Sequence, residues 1–206
     1  MKKAHCVQSV LRHMCAVAVT RFSDRTWQEN MRFREAHEFP GCVYNSPVVM
    51  GRSIAPDSQV FVLEMNNTQR RLLGIGCVTN RVRPCRIKVY DDPFYNQFTY
   101  TGRRRIDRGE MTENDLRVLA VLEELVFYGN GHLQRGKGIQ CLPAAITECK
   151  ELLRALGENL ARRGSRTAAK ERLAEGGVSI EWIEDNRGLQ LMCWLRRLFS
   201  ESRGPD

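Results

Sequence analysis

Apolar positions along the chain fall into three zones of different period. Between residues 4 and 36, Val7, Val10, Leu11, Met14, Val17 and Ala18 recur at steps of three and four. That spacing gathers side chains on one helix face and predicts N-terminal helices. In "SDRTWQEN", Ser23 or Asp24 offers an N-cap oxygen to a second short helix carrying Trp27 and Met31.

From 40 to 110 the runs shorten and read as β. "QVFVLEM" (Gln59 to Met65) and "LLGIGCV" (Leu72 to Val78) are two apolar stretches joined by "NNTQRR". Asn66 and Asn67 tolerate positive φ, so the linker carries hairpin chemistry. Gly74 and Gly76 imply a bulge, a barrel bend or close approach of another backbone. "CRIKVYD" alternates, and "NQFTYTG" is a further β-prone run. Short strands at close spacing predict a small bent antiparallel sheet or barrel.

From 111 to 200 the helical period returns. Thr112 with Asp115 three residues on is a near capping box, Leu116, Leu119, Leu122 and Val126 make the stripe, and Gly129 closes the helix. A long amphipathic helix is expected from Pro143 to Arg163, then "SRTAAKERLA" as a third helix, "VSIEWI" as a short strand and "GLQLMCWLRRLFS" as a last helix. The fold class expected is α+β: one domain over residues 1–206, with a small bent antiparallel sheet or barrel flanked by N- and C-terminal helices.

Composition fits a globular chain, with 42% hydrophobic and 27% charged residues. The formal net charge is +8 and arginine outweighs lysine. Guanidinium groups pair bidentately with phosphate and stack on bases, so this surplus leans toward an anionic partner. None of the eight cysteines forms a CxxC knuckle, and several sit in apolar runs. Buried free thiols in a reducing, intracellular compartment (cytoplasm or nucleus, or associated with a virion) are expected, rather than a zinc finger. No apolar stretch of about 18 residues occurs, so no membrane span is expected. The N-terminal segment mimics a signal peptide, but Gln8, Ser9, Arg12 and His13 interrupt its apolar region.

Three stretches carry candidate chemistry. In "FYNQFTYTGRRRIDRGEM", Arg103, Arg104, Arg105 and Arg108 lie beside Phe94, Tyr95, Phe98 and Tyr100. The arginines suit phosphates, and Tyr95 and Tyr100 suit stacking on bases. The alternative is aromatic barrel core with a solvated arginine rim, partly neutralised by Asp107 and Glu110. In "GNGHLQRGKGIQCLP", Arg135 and Lys137 flank glycines, and Gly136, Gly138 and their amides can form an anion-binding nest, with His132 alongside. No GK[ST] is present, so nucleotide hydrolysis is not indicated. "RALGENLARRGSRTAAKER" adds Arg154, Arg162, Arg163, Arg166, Lys170 and Arg172, by default a solvated face.

Motifs of hydrolases and metalloenzymes are lacking, and no cofactor or metal is expected. Glu64 is a charge set into an apolar strand, either a buried acid or the strand's outward residue.

The central region, Val60 to Pro143, resembles uncharacterised proteins of large eukaryotic DNA viruses. The likeness rests on the strand pair "VFVLEMNNTQRRLLGIGCV", a Tyr-x-Gly-x-x-Arg-Ile-Asp-Arg box and a Gly-x-x-His-Leu-x-Arg-Gly-x-Gly box. Val60–Leu63 and Gly74–Val78 are also similar to PUA-like barrels of the EVE and ASCH kind. That second resemblance implies binding of RNA or modified bases.

The expected role is non-catalytic binding of nucleic acid, DNA or RNA, by Tyr95, Tyr100, Arg103, Arg104, Arg105, Arg108, His132, Arg135, Gly136, Lys137 and Gly138. One alternative is a virion or assembly protein docking its basic face on an acidic protein partner. A second is a nuclease or base-modifying enzyme, which requires Glu64, Asp107 and Glu110 to converge in space.

Overall fold

The segment "CAVAVTRF" is a strand, β1 (Cys15–Phe22), where the apolar spacing predicted helix. It pairs in parallel with β3 (Gln59–Asn66), from Cys15 opposite Gln59 to Phe22 opposite Asn66. On its other side it pairs antiparallel with β7 (Gln140–Cys141). A strand with neighbours on both sides, buried on both faces, reads as a continuous apolar run instead of an alternating one. That is why "AVAV" mimics a helix stripe. The computed structural model describes residues 15–51, 53–129, 131–147, 151–162 and 167–201. The rest of the expected first helix, together with His5, Cys6, His13, Cys149, Arg163, Ser165 and Arg166, lies outside the described residues.

The architecture is α+β. A five-stranded mixed sheet has the order β6-β4-β3-β1-β7, with β4 at Arg71–Thr79 and β6 at Arg104–Asp107. A two-stranded antiparallel sheet joins β2 (Cys42–Ser46) to β5 (Phe98–Gly102). The expected all-antiparallel arrangement gives way to a mixed one through the β1–β3 pair, and no closed barrel forms among the described residues.

The chain divides into two compact units. The first comprises residues 1–69, 73–105 and 136–141. It holds helix α1 (Asp24–Ala36), which starts at Ser23, one of the two N-cap residues expected there, through a capping box with Thr26. Trp27 and Phe33 of α1 pack on a core that includes Phe22, Val60, Val62 and Tyr44. The ring of Trp27 meets Phe22 edge-on at 5.2 Å. Consecutive strands β3 and β4 are joined by a tight turn in which Arg70, not an asparagine, takes positive φ (52°). Gly102 is a true requirement, because a Cβ there would overlap the Cys77 carbonyl and crowd the Cys42 thiol.

The alternating segment "CRIKVYD" is not a strand. Its amides at Val89 and Tyr90 donate to Asn96 Oδ1, at 3.0 and 3.1 Å, in place of a neighbouring strand. Asn96 also donates to the Tyr90 carbonyl at 2.6 Å. One buried amide side chain therefore satisfies the loop, as buried backbone groups demand.

The second unit comprises residues 70–72, 106–135 and 142–206. Its centre is α2 (Glu113–Phe127), capped by Thr112 with Asp115, as its sequence predicts. Leu119, Leu122 and Leu125 of α2 are buried; each fully buried leucine contributes roughly 1.5–3 kcal/mol. The helices that follow are α3 (Ala144–Thr147), α4 (Leu152–Ala161), α5 (Thr167–Glu175), α6 (Ile180–Asp185) and α7 (Leu191–Glu201). The single long helix expected over 143–163 is thus two. "VSIEWI" is helical because the Ser179 side chain accepts the Trp182 N–H at 3.1 Å, a cap that starts a turn. Within this unit the Arg172 guanidinium lies 3.8 Å from the Tyr128 ring centroid and 2.9 Å from Glu124.

Candidate nucleic-acid interface

The dipeptide Asp92-Pro93 sets up the most exposed aromatic pair. Asp92 accepts the Phe94 N–H at 2.9 Å, and Pro93 opens a short 3-10 turn, Pro93–Tyr95. Proline suits this first position, since its missing N–H would lack a partner there anyway. The turn projects Phe94 and Tyr95 outward, 50% and 40% exposed. Their rings meet edge to face, with centroids 5.5 Å apart and planes at 77°. Below them Tyr95 touches the buried Tyr90 ring at 6.2 Å, and Asn30 holds the Tyr90 hydroxyl at 3.4 Å. Asn96, buried directly after the turn, bonds Asn45 of β2 at 2.7 Å. The platform is thus mounted on core groups although its top faces solvent.

The glycine-rich loop brings a cation to this platform. Gly136 and Gly138 take positive φ, 136° and 65°. The Gly138 carbonyl accepts Arg21 Nη1 at 3.2 Å, and Arg21 Nη2 reaches Gln140 at 2.6 Å. Burial lowers the Arg21 pKa below its ordinary value, yet guanidinium remains charged at neutral pH. A Cβ at Gly138 would overlap Ser46 Oγ, so the loop lies across the end of β2. The Lys137 ammonium then sits 5.9 Å from the Phe94 ring centroid, within cation–π range.

The arginine run is split by the fold. Arg103 and Arg104 are exposed. Arg105 points inward: Nη2 is 2.7 Å from Glu64 Oε2, with Glu64 0% and Arg105 7% exposed at the side chain. The guanidinium also lies 5.3 Å from the Trp27 ring centroid, and Tyr44 donates to Glu64 at 2.7 Å. Arg108, in the second unit, is held by Glu123 at 2.6 Å and the Leu72 carbonyl at 2.9 Å. Burial raises the Glu123 carboxyl pKa, opposed by the Arg108 charge. Arg105 and Arg108 are internal partners, which corrects their assignment as phosphate ligands. Tyr100 is likewise corrected. It is 1% exposed and its hydroxyl accepts the Met50 N–H at 2.9 Å, so no base can stack on it.

In β2–β5, Phe98 lies opposite Ser46 and Gly102 opposite Cys42. Arg103 therefore follows the end of β5 that is far from the Gly138 loop, about 17 Å from Phe98 by strand rise. The first unit presents an aromatic–lysine platform at one end of this ribbon and exposed arginines at the other. Arg135 is exposed in the second unit, and His132 there is half-buried with Nδ1 inward.

Glu64 is the buried acid among the two readings of its strand. Asp107 and Glu110 cap their own 3-10 turn, Asp107 accepting the Gly109 N–H and Glu110 accepting the Asp107 N–H. These three carboxylates are thus occupied separately. No group of three or more His, Cys, Asp or Glu residues suited to a metal occurs among the described residues. No helix of the described residues is long and apolar enough to cross a membrane. Phe94, and not Tyr100, is the second ring of the platform beside Tyr95. Its signal was the Asp-Pro turn, which forces the next aromatics out of the strand pattern.

Comparison with protein families, with characterised proteins and with solved structures returned no match.

Proposed function

We propose that this protein binds nucleic acid without catalysis, through the surface formed by Phe94, Tyr95 and Lys137, extended by Arg103. The observation that carries this reading is the exposed ring pair with an ammonium 5.9 Å from Phe94, on a chain of formal charge +8. Adjacent exposed aromatic rings offer faces on which bases can stack. Joined to a cation they offer the two contacts a polynucleotide requires, a face for a base and a charge for a phosphate. The Arg21 bonds to Gly138 and Gln140 fix the loop backbone, so little ordering cost falls on binding.

The test is fluorescence anisotropy of a labelled mixed-sequence oligonucleotide at low salt. Wild type binds, and the Phe94→Ala, Lys137→Ala double variant loses affinity by at least about tenfold. Equal affinity of the two proteins rejects this surface.

A further inference from the structure

We infer that the Phe94–Tyr95 platform recognises unpaired, unstacked nucleotides and not duplex; this rests on the nucleic-acid reading above. Bases in a duplex lie parallel, about 3.4 Å apart along each strand. The Phe94 and Tyr95 planes are inclined at 77°, with centroids 5.5 Å apart. A base lying on one ring is therefore nearly perpendicular to a base lying on the other. Two neighbouring nucleotides can occupy both rings only if the strand turns between them and their mutual stacking is lost. Paired strands resist that turn, whereas a single strand or loop makes it at small cost.

The mount keeps the angle. Tyr95 is braced edge-on by the buried Tyr90 at 80°, and Pro93 and Asp92 fix the backbone of the turn. Asn96, which holds the amides of Val89 and Tyr90, anchors the turn to the core. The Lys137 ammonium over the Phe94 ring supplies the charge for the phosphate of the nucleotide that stacks. No sequence is read directly, since every base offers a π-face.

The experiment compares labelled single strands of about ten nucleotides, one DNA and one RNA, with the blunt duplex of the same sequence, at one low salt concentration. Wild type, Phe94→Ala and Phe94→Leu are measured. Phe94→Leu keeps apolar bulk on the turn but removes the flat face, and melting curves confirm that each variant is folded. The expected result is that a single strand of either chemistry binds at least about tenfold tighter than duplex. Both variants lose about tenfold on the single strand and nothing on the duplex. Duplex binding as tight as single strand, or a Phe94→Leu protein that binds single strand like wild type, overturns the inference while leaving nucleic-acid binding intact. Absence of binding to strand and duplex alike overturns the reading beneath it as well.

Discussion

Arg105 and Glu64 form a buried ion pair in the first unit, with Nη2 2.7 Å from Oε2 and both oxygens within 3.0 Å of Nε. The pair turns the third arginine of "GRRRIDR" away from solvent. Its neighbours explain the geometry. The β6 edge strand alternates its side chains, so Arg104 faces out while Arg105 faces in. Inside, Tyr44 supplies a further bond to Glu64 and Trp27 a ring face for the guanidinium. A buried pair is stable only when such extra partners satisfy the remaining lone pairs.

Removing one member should therefore unfold the unit more readily than removing both. Arg105→Ala leaves the carboxylate of Glu64 buried and unpaired, at an expected loss of about 3–5 kcal/mol in denaturant melts. Glu64→Leu with Arg105→Met should recover at least half of that loss. An Arg105→Ala protein as stable as wild type would show that the pair is solvated in solution.

The Cys42 thiol gives a pH prediction. Burial, with Glu64 nearby, pushes its pKa from the ordinary 9.0 up to about 12. Burial also raises the Tyr44 hydroxyl, with Cys42 and Glu64 adding to the effect. The folded state holds these protons more tightly than the unfolded one, so their contribution is full below pH 9 and is lost as pH climbs toward about 12. Urea midpoints should fall between about pH 8 and about pH 11, and fall less steeply in Cys42→Ala. At about pH 8 the buried Cys42 thiol stays protonated. A disulfide reagent should thus modify the exposed Cys85 and Cys193 in the folded protein and reach Cys42 only after unfolding. Labelling of Cys42 in the folded protein at the rate of Cys193 would contradict its burial.

Much of this was legible in advance, and the misses have causes. The Thr112–Asp115 cap, the β3–β4 hairpin and the last helix follow from local chemistry that tertiary contacts reinforce. Strand β1 departs from the helix its spacing predicts because burial on both faces removes alternation and leaves only apolar content. The "CRIKVYD" loop was misread because Asn96, remote in pattern though near in sequence, takes its amides. In the site, Lys137, Gly136 and Gly138 were legible as a basic glycine loop. Which arginines face out was not, because that depends on Glu64 and Glu123, partners 41 and 15 residues away.

Asp115 tests the second unit. It accepts from Trp194 Nε1 at 2.8 Å and Arg197 Nη2 at 2.7 Å, besides capping α2 with Thr112. Asp115→Ala leaves a buried indole N–H without an acceptor and removes a cap. The expected cost is about 2–4 kcal/mol in a thermal melt followed by tryptophan fluorescence. Arg197→Ala should cost under about 1 kcal/mol, because that side chain is partly solvated. Equal effects of the two substitutions would show that the ion pair, not the cap and indole bond, carries the stability.

The most direct test of the central claim is the salt dependence of oligonucleotide affinity, from about 50 to about 200 mM, for wild type, Lys137→Ala and Arg103→Ala. Log affinity should fall linearly with log salt, and each substitution should make the slope shallower by about 0.7, the value of one phosphate contact on a single strand. A wild-type protein that shows no binding at about 50 mM salt, or variants whose slopes match wild type, would contradict it.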